Sequence, residues 1–301
     1  MKIKLPVGLL LFALTLTSSC NMYNPAEPIP SYIHIDNITV TIPIALQSST
    51  EQGSASGKIA DAWVYIDEQL IGCFQMPCTV PVLYDGNHTL KIRPGIKVNG
   101  IAATRSPYPF YAAYSQVINL ERGKTSTVTN ATVTYNSYMS HSHFPMIEDF
   151  ESIGYLISST PASETPFNFV SSPASSVFEG LKSGVGSLRS NNYTFECATK
   201  DSFLLNKSSA PVFLEFNYKC NHVFTVFLTG YTVVGSNITN TQQQQALTYN
   251  PSENWNKAYL YLTPTIGYLG SANYFRIYFG MKNYATEDSV GLALDNVKIV
   301  Q

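Results

Sequence analysis

The chain has 301 residues, of which 45% are hydrophobic and 13% are charged, and its formal net charge is −2. This length predicts about two domains, and the nearly balanced charge gives no electrostatic reason to expect nucleic acid as a partner. Tyrosine (20) and phenylalanine (16) are abundant. Because aromatic residues favour half-buried pleated surfaces, the composition favours an all-β protein.

The N-terminus has the pattern of an export signal. Two lysines precede an apolar run, Leu5–Leu16, that is too short to span a bilayer as a stable helix. Small residues then lead to Cys20. The order resembles the bacterial lipoprotein signal, in which the cysteine becomes the lipidated first residue, although Thr17 stands where that signal usually has Leu. We expect a signal peptide over residues 1–19 and a lipid on Cys20. The alternative is an ordinary secretory signal with an incidental cysteine.

The segment that follows is polar and rich in proline. Residues 20–30 contain Pro25, Pro28 and Pro30, and such a composition predicts an extended tether. A tether of this kind with a lipid on Cys20 would attach the protein to the membrane. The folded part of the chain is then expected to begin near residue 31.

Four cysteines remain beyond the signal. An even number in an exported chain permits disulfides. Cys73 and Cys78 flank a short loop, and we expect a disulfide between them across a hairpin. The alternative is that both are buried as small hydrophobic side chains. Pairing of Cys197 with Cys220 depends on the strand order and stays open.

Residues 31–135, called domain one, carry a succession of strand patterns with alternating apolar and polar positions. Asp85-Gly86 is a strong hairpin dipeptide, and Pro94-Gly95 is expected to end a strand. The predicted strands are Ile33–Ile44, Ala60–Asp67, Leu70–Phe74, Val80–Leu83, His88–Arg93, Ile96–Ala103, Ser115–Leu120 and Ser126–Tyr135.

Part of domain one resembles a known module. The stretches "AWVYIDEQLIG" and "MPCTVPVLYDGNHTLKIRPG" are similar to PEGA modules, which are small β-sandwiches with a conserved first turn and a G-x-H-x-[LV] hairpin. Glu68 departs from this pattern because the turn often has Gly there, and an extended loop at Pro107–Tyr111 is a second departure. The resemblance implies an extracytoplasmic surface or adaptor module rather than an enzyme.

Residues 136–145 are polar and end in proline, so they are expected to form a linker, followed by domain two over residues 146–301. No convincing amphipathic helix is found; Ser171–Leu181 is a weak candidate. Gln242–Gln245 is expected to be a polar loop tip. The predicted strands are Pro211–Lys219, Val223–Gly230, Lys257–Leu262, Tyr274–Met281 and Val290–Val300. Of these, Val223–Gly230 is continuously apolar enough to be a buried strand.

The opening "DFE" and the closing "LDNVKIV" of domain two resemble the ends of jelly-roll modules found in carbohydrate-binding and lectin-like domains. The resemblance implies that the first and last strands lie together and that a structural Ca²⁺ is bound near both ends. Glu151 and Asp295 match the expected carboxylates, with Asp149 as an auxiliary ligand. The alternative is that Asp295 only makes a turn or backbone hydrogen bond.

The expected fold is therefore all-β: a small N-terminal β-sandwich followed by a C-terminal β-jelly-roll sandwich. The combination of signal, tether and modules is similar to cell-surface lipoproteins of the Bacteroidetes. This resemblance implies a protein anchored by lipid to the outer membrane and exposed at the cell surface.

The sequence contains no recognisable nucleophile, metalloprotease or phosphate-loop motif, so we do not expect an enzyme. The leading hypothesis is glycan binding, since Tyr274, Arg276 and Tyr278 share one face of a strand, and Trp255 or Tyr231 is expected to join them from a neighbouring strand. The alternative is a structural or adaptor protein of an outer-membrane assembly, with an envelope protein as partner.

Overall fold

The computed structural model describes residues 27–43, 52–136, 143–208, 210–234, 237–284 and 288–301. Cys20 and most of the tether lie outside this part of the chain. Domain one contains β1 (Ser31–Ile35), β2 (Ile38–Val40), β3 (Asp61–Ile66), β4 (Gln69–Gln75), β5 (Cys78–Val82), β6 (Gly86–Lys97), β7 (Arg105–Pro107), β8 (Tyr114–Leu120), β9 (Thr125–Val128) and β10 (Ala131–Val133).

Domain two contains β11 (Met146–Glu148), β12 (Ile157–Ser159), β13 (Phe167–Val170), β14 (Ser183–Leu188), β15 (Thr194–Thr199), β16 (Phe213–Cys220), β17 (Phe224–Val234), β18 (Asn237–Tyr249), β19 (Ser252–Tyr261), α1 (Thr263–Tyr268), β20 (Tyr274–Lys282) and β21 (Val290–Val300). The all-β prediction is confirmed. No helix among the described residues is long and apolar enough to cross a membrane.

Domain one is a sandwich of small sheets. One sheet has the order β4-β3-β6-β7, with β8 also paired to β6, and the facing strands form a β5-β1-β9 sheet and a β10-β2 pair. The alternating residues of β1 and β3 supply the core, because Ile33, Ile35, Val64 and Ile66 are all fully buried. Their spacing of two places one row of apolar side chains on each inner face.

Several strand boundaries in domain one differ from the prediction. The strand predicted over Ile96–Ala103 is wrong, because β6 ends at Lys97 and a 3₁₀ turn follows at Val98–Gly100. β6 continues through Pro94-Gly95 to Lys97, because Gly95 permits a close approach of β3: a Cβ there would lie 2.9 Å from the backbone oxygen of Asp61. The strand predicted over Ser126–Tyr135 is divided at Asn130, whose φ is +52°. Its two halves, β9 and β10, pair in parallel with β1 and β2.

The predicted disulfide between Cys73 and Cys78 is wrong in this structure, where both are free thiols. Cys73 lies on β4, which pairs with β3, whereas Cys78 lies on β5, which pairs with β1. The short loop between them therefore carries the chain from one sheet to the other instead of closing a hairpin. Cys197 and Cys220 are also free and lie in different sheets of domain two.

Domain two is a sandwich of two larger sheets. The inner sheet has the order β13-β14-β21-β16-β19, with β11 added to β21, and the outer sheet has the order β12-β15-β20-β17-β18. Aromatic side chains fill the space between them; the rings of Phe216 and Phe279, one from each sheet, meet edge to face with centroids 5.4 Å apart. The pairing of β11 with β21 brings the ends of the domain together, as the jelly-roll resemblance implied.

Several elements of domain two were missed or misassigned, and no strand was predicted at β12, β13, β14 or β15. Gln242–Gln245 belongs to the long strand β18 and is not a loop tip. Within the described residues, β18 is an edge strand that pairs with β17 alone, with two register shifts, so its glutamines face solvent and give no apolar alternation. The short helix α1 begins with Pro264 in its first turn and buries one side chain, Ile266. The weak helix candidate contains only a 3₁₀ turn at Ala174–Ser176.

The inner sheet has one face against the outer sheet, and domain one covers its other face. Tyr108 of domain one contacts the rings of Phe213 and Tyr259 at 5.2 and 5.0 Å, and Phe213, Tyr259 and Val300 belong to the apolar core of domain one. The inner sheet is therefore buried on both faces. This explains why ten of the eleven residues of β21 are buried, including its one lysine, Lys298.

Candidate functional site

Strand β20 divides its side chains between the core and the surface, as its alternation predicts. Phe275, Ile277 and Phe279 are fully buried, which confirms the predicted inward face. Tyr274 is 37% exposed, and Arg276 and Tyr278 are half-buried on the opposite face. The outer sheet thus presents aromatic and polar groups to solvent on the side that faces away from domain one.

The outward side chains of β20 are held in place by their neighbours. Tyr231 of β17 lies opposite Tyr274 in the register, and its hydroxyl is 3.0 Å from that of Tyr278. Arg276 donates its Nε–H to the carbonyl of Thr199 at 2.8 Å, and its guanidinium lies 5.3 Å from the centre of the Tyr278 ring. Burial and the hydrogen bond between the hydroxyls of Tyr278 and Tyr231 raise the pKa of Tyr278 to about 12, so the phenol stays neutral at physiological pH.

A cleft opens at the next position of the same face. Gly280 follows Tyr278 at a spacing of two, and because it has no side chain, the row of large groups is interrupted there. Phe227 of β17 pairs with Tyr278, and its ring leans toward the gap, 3.4 Å from where a Cβ of Gly280 would be. We call this space, whose volume is about 530 Å³, the outer cleft.

Polar groups surround the aromatic side of the outer cleft. Glu196 of β15 accepts a hydrogen bond from Thr160 at 2.6 Å, and Lys282 donates to Thr194 at 2.8 Å. The cleft therefore combines a half-buried aromatic ring with donors and acceptors fixed by their own bonds. The lining consists of Ala162, Thr194, Phe195, Glu196, His222, Val223, Thr225, Phe227, Gln243, Gly280, Met281, Lys282 and Tyr284.

The expected contribution of Trp255 is wrong. Trp255 lies on β19 of the inner sheet, whereas the tyrosine row lies on the outer sheet. Its ring packs against Phe178, with centroids 5.5 Å apart. Strand order, which the sequence did not reveal, separates this tryptophan from Tyr274 and Tyr278.

The carboxylates expected to bind calcium accept hydrogen bonds from backbone N–H groups and, at Asp295, also from the hydroxyl of Ser183. Glu151 accepts from Leu181 and Lys182 at 2.7 and 2.9 Å, and Asp295 accepts from Ser183 and Asn296 at 2.6 and 2.7 Å. Asp149 accepts a hydrogen bond from the backbone N–H of Glu151 at 3.1 Å. Donors of the protein itself therefore bond to these carboxylates, whereas Ca²⁺ takes several oxygen ligands.

Burial raises the pKa of Asp295 to about 6, above its ordinary value of 3.8, although several hydrogen bonds favour the ionised form. Among the described residues, no group of three or more His, Cys, Asp or Glu side chains is placed to hold a metal ion. Asp295 thus makes the turn and backbone bonds of the alternative interpretation, and calcium binding stays a prediction.

Sequence reasoning missed the two residues that shape the outer cleft. Val223–Gly230 was interpreted as a continuously buried strand, which hid the outward position of Phe227. The polar residues at Thr225 and Thr229, two positions to either side, were the available signal for that face. Gly280 carried a signal as well, because a glycine inside a strand often marks a close approach or a gap.

Comparisons with known proteins give structural neighbours only. No protein-family model matches the chain, and no curated protein matches it. One similar solved structure is a family 11 carbohydrate-binding module from Clostridium thermocellum in complex with a β-1,3-1,4-mixed-linked tetrasaccharide. It is 15% identical, covers 52% of this chain and 95% of its own, and has a TM-score of 0.37.

Two other neighbours show the same level of likeness. The K3 adhesin domain of Lys-gingipain from Porphyromonas gingivalis is 15% identical and covers 52% of this chain and 98% of its own, with a TM-score of 0.36. Carbohydrate-binding modules of the β-sandwich superfamily, described as promiscuous in specificity, are 11% identical and cover 82% of this chain and 87% of their own, with a TM-score of 0.36. At this identity the likeness extends no further than a β-sandwich architecture.

Proposed function

We propose that the protein is a non-catalytic, lipid-anchored outer-membrane protein that binds glycan in the outer cleft. The observation that carries the proposal is the open space over Gly280, bounded by the Phe227 ring and by the fixed polar groups of Glu196 and Lys282. A sugar ring has one apolar face and a rim of hydroxyls. An aromatic side chain beside oriented donors and acceptors matches both parts.

The row formed by Tyr231, Tyr274, Arg276 and Tyr278 extends this surface beyond one sugar. Register places Phe227 directly beside Tyr278, and Tyr231 beside Tyr274, on the same face of the outer sheet. Arg276 has five N–H donors, of which one is bonded to Thr199. The proposed ligand is therefore a chain of sugars that begins in the outer cleft and continues over the tyrosines.

The composition of the cleft favours binding over hydrolysis. Glycoside hydrolysis uses a pair of carboxylates on either side of the scissile bond. In the part of the chain that the structure describes, Glu196 is the one carboxylate that lines the outer cleft. It also accepts a hydrogen bond from Thr160, which suits an orienting group.

Titration of the purified protein with a panel of soluble neutral polysaccharides tests the proposal by calorimetry. Phe227→Ala and Tyr278→Ala are each expected to weaken binding of a positive polysaccharide by at least about tenfold, since stacking and burial at one ring contribute about 1.5 kcal/mol or more. Tyr65→Ala, a half-exposed tyrosine of domain one, is the control and should bind normally. An equal loss of polysaccharide affinity in all three variants would contradict the proposal. So would a wild-type protein that binds no polysaccharide of the panel.

The anchor has its own test, since Cys20 lies outside the described residues. Cys20→Ala is expected to move the protein from the membrane fraction to the soluble fraction and to abolish labelling with a fatty-acid probe. Glycan binding by the released protein should be unchanged. A protein that stays with the membrane without Cys20 would remove the lipoprotein part of the proposal.

An adaptor role in an outer-membrane assembly is the second candidate function. It is favoured by the outward face of β3 and β8, where Trp63 and Tyr65 are half-exposed and Val117 is 73% exposed. Apolar groups of this kind on a sheet surface are typical of protein contacts. Cross-linking in intact membranes distinguishes the candidates: an envelope partner lost with Tyr65→Ala, but retained with Phe227→Ala, supports the adaptor role.

A further inference from the structure

A second cavity lies between the two domains, away from the outer cleft. Its volume is about 430 Å³, enough for a small ligand but not for a folded partner. We call it the interdomain cleft. Its polar lining comes from both domains: Lys58, Lys97 and Asn99 of domain one, and Tyr249, Asn256 and Lys257 of domain two.

The charged side chains that line the interdomain cleft are all positive. Three lysines line it, and no carboxylate is found among the described residues of its lining. The charge of Lys257 is compensated, because its Nζ lies 3.2 Å from the buried carboxylate of Glu215. For Lys58 and Lys97, no ion pair is found within the described part of the chain.

The two uncompensated lysines lie close enough to repel each other. Burial and the charge of Lys97 both lower the pKa of Lys58. The ammonium of Lys58 is fixed by a hydrogen bond of 2.6 Å to the side-chain oxygen of Asn256 across the domain boundary. A negatively charged group between the lysines would relieve this repulsion and form charge-assisted hydrogen bonds.

A buried hydroxyl adds an independent observation. Tyr249 lines the interdomain cleft and is 6% exposed, and its hydroxyl has no hydrogen-bond partner among the described residues. A buried donor without a partner is unfavourable by about 1–3 kcal/mol. Burial raises the pKa of this phenol well above its ordinary value, so the hydroxyl remains a proton donor at physiological pH.

We propose that the interdomain cleft binds a small ligand through an oxyanion held by Lys58 and Lys97, with Tyr249 donating a hydrogen bond to the ligand. A carboxylate of an acidic sugar and a free phosphate both offer this chemistry. The site is independent of the outer cleft, because no described residue lines both clefts. Failure of one proposal therefore leaves the other in place.

Calorimetric titration with glucuronate, inorganic phosphate and uncharged glucose tests the site at low ionic strength. Glucuronate or phosphate is expected to bind, and glucose is not. Binding of glucuronate alone identifies an acidic sugar, whereas equal binding of both anions identifies a site for the oxyanion itself. The affinity should fall as sodium chloride is raised, because salt screens lysine–anion attraction.

Variants locate the binding. Lys58→Gln and Lys97→Gln should each weaken anion binding about tenfold or more, as expected for loss of a charged hydrogen bond, and Tyr249→Phe should weaken it less. The control is Lys91→Gln, which removes the same charge from β6 at a lysine paired with Glu68. Lys91→Gln should bind the anion as wild type does. All of these variants should bind polysaccharide in the outer cleft as wild type does. Equal binding of glucose, equal loss in the Lys91 control, or no anion binding at millimolar concentration would overturn the proposal.

Discussion

Single residues decide the shape of two features of this protein, the β3–β4 turn and the outer cleft. Glu68 stands in the β3–β4 turn with φ of +65°, next to Asp67 with φ of +48°. These are left-handed conformations that L-residues adopt at a cost and that hairpin turns of this type require. Gly280, in contrast, has no such constraint, and its missing side chain opens the outer cleft.

The turn gives the first prediction. Glu68→Gly should raise the free energy of unfolding by up to about 1 kcal/mol, because glycine adopts positive φ without steric strain. The exposed ion pair of Glu68 with Lys91, at 2.9 Å, would be lost, but such surface pairs contribute about 0–1 kcal/mol. Urea denaturation measures the change. Glu68→Ala is the control and should be less stable than Glu68→Gly.

The cleft gives the second prediction. Gly280→Val should abolish polysaccharide binding while the melting temperature changes little. A Cβ at Gly280 would lie 3.4 Å from the Phe227 ring and 3.7 Å from the carbonyl of Phe195, which are ordinary contacts. The added methyl groups would occupy the cleft itself, and valine suits a strand. Retained binding in a folded Gly280→Val protein would place the glycan elsewhere.

At the scale of elements, the period of two in β20 assigns its two faces to different roles. The inward residues pack against the inner sheet, and the outward residues form the tyrosine row. Spacing alone was sufficient to predict this division, because a strand must place alternate side chains on opposite sides. β18 could not be predicted in this way, since an edge strand with polar side chains carries no apolar alternation.

This division gives the third prediction. Phe279→Ala should lower the free energy of unfolding by about 3–5 kcal/mol, as expected for a fully buried phenylalanine that leaves a cavity. Tyr274→Ala, five positions earlier on the outward face, is the matched aromatic control and should change it by no more than about 0.5 kcal/mol. Chemical denaturation of both variants makes the comparison. A similar loss from both would show that the tyrosine row stabilises the fold.

At the scale of the whole molecule, a buried polar network joins the domains. The carboxylate of Glu215 accepts hydrogen bonds from Tyr108 at 2.6 Å and from Tyr135 at 2.9 Å. The ammonium groups of Lys257 and Lys298 lie 3.2 and 3.9 Å from it. Burial by itself raises the pKa of Glu215, but the two lysines and the hydrogen bonds from the two tyrosines together outweigh this effect, and the net pKa lies below the ordinary 4.5.

The network gives the fourth prediction, which concerns pH. Because the pKa of Glu215 is lower in the folded protein, the unfolded chain takes up its proton first as the pH falls. The stabilisation is therefore complete above about pH 4.5 and is lost progressively below it. Glu215→Gln should be less stable by about 3–5 kcal/mol at pH 7, since it leaves buried lysines unpaired. The difference from wild type should narrow below pH 4.5, as measured by urea denaturation at each pH.

The sequence alone determined the all-β class, most strands and the two faces of β20, because alternation is a local property of the chain. Tertiary structure decided the rest. The loop at Pro107–Tyr111 was noted only as a departure from a module pattern, yet its tyrosines form the contact with domain two. Glu215 and Lys298 occupy outward positions that alternation assigns to solvent. They are buried because a second domain covers that face, and no local pattern records which surface another domain will cover.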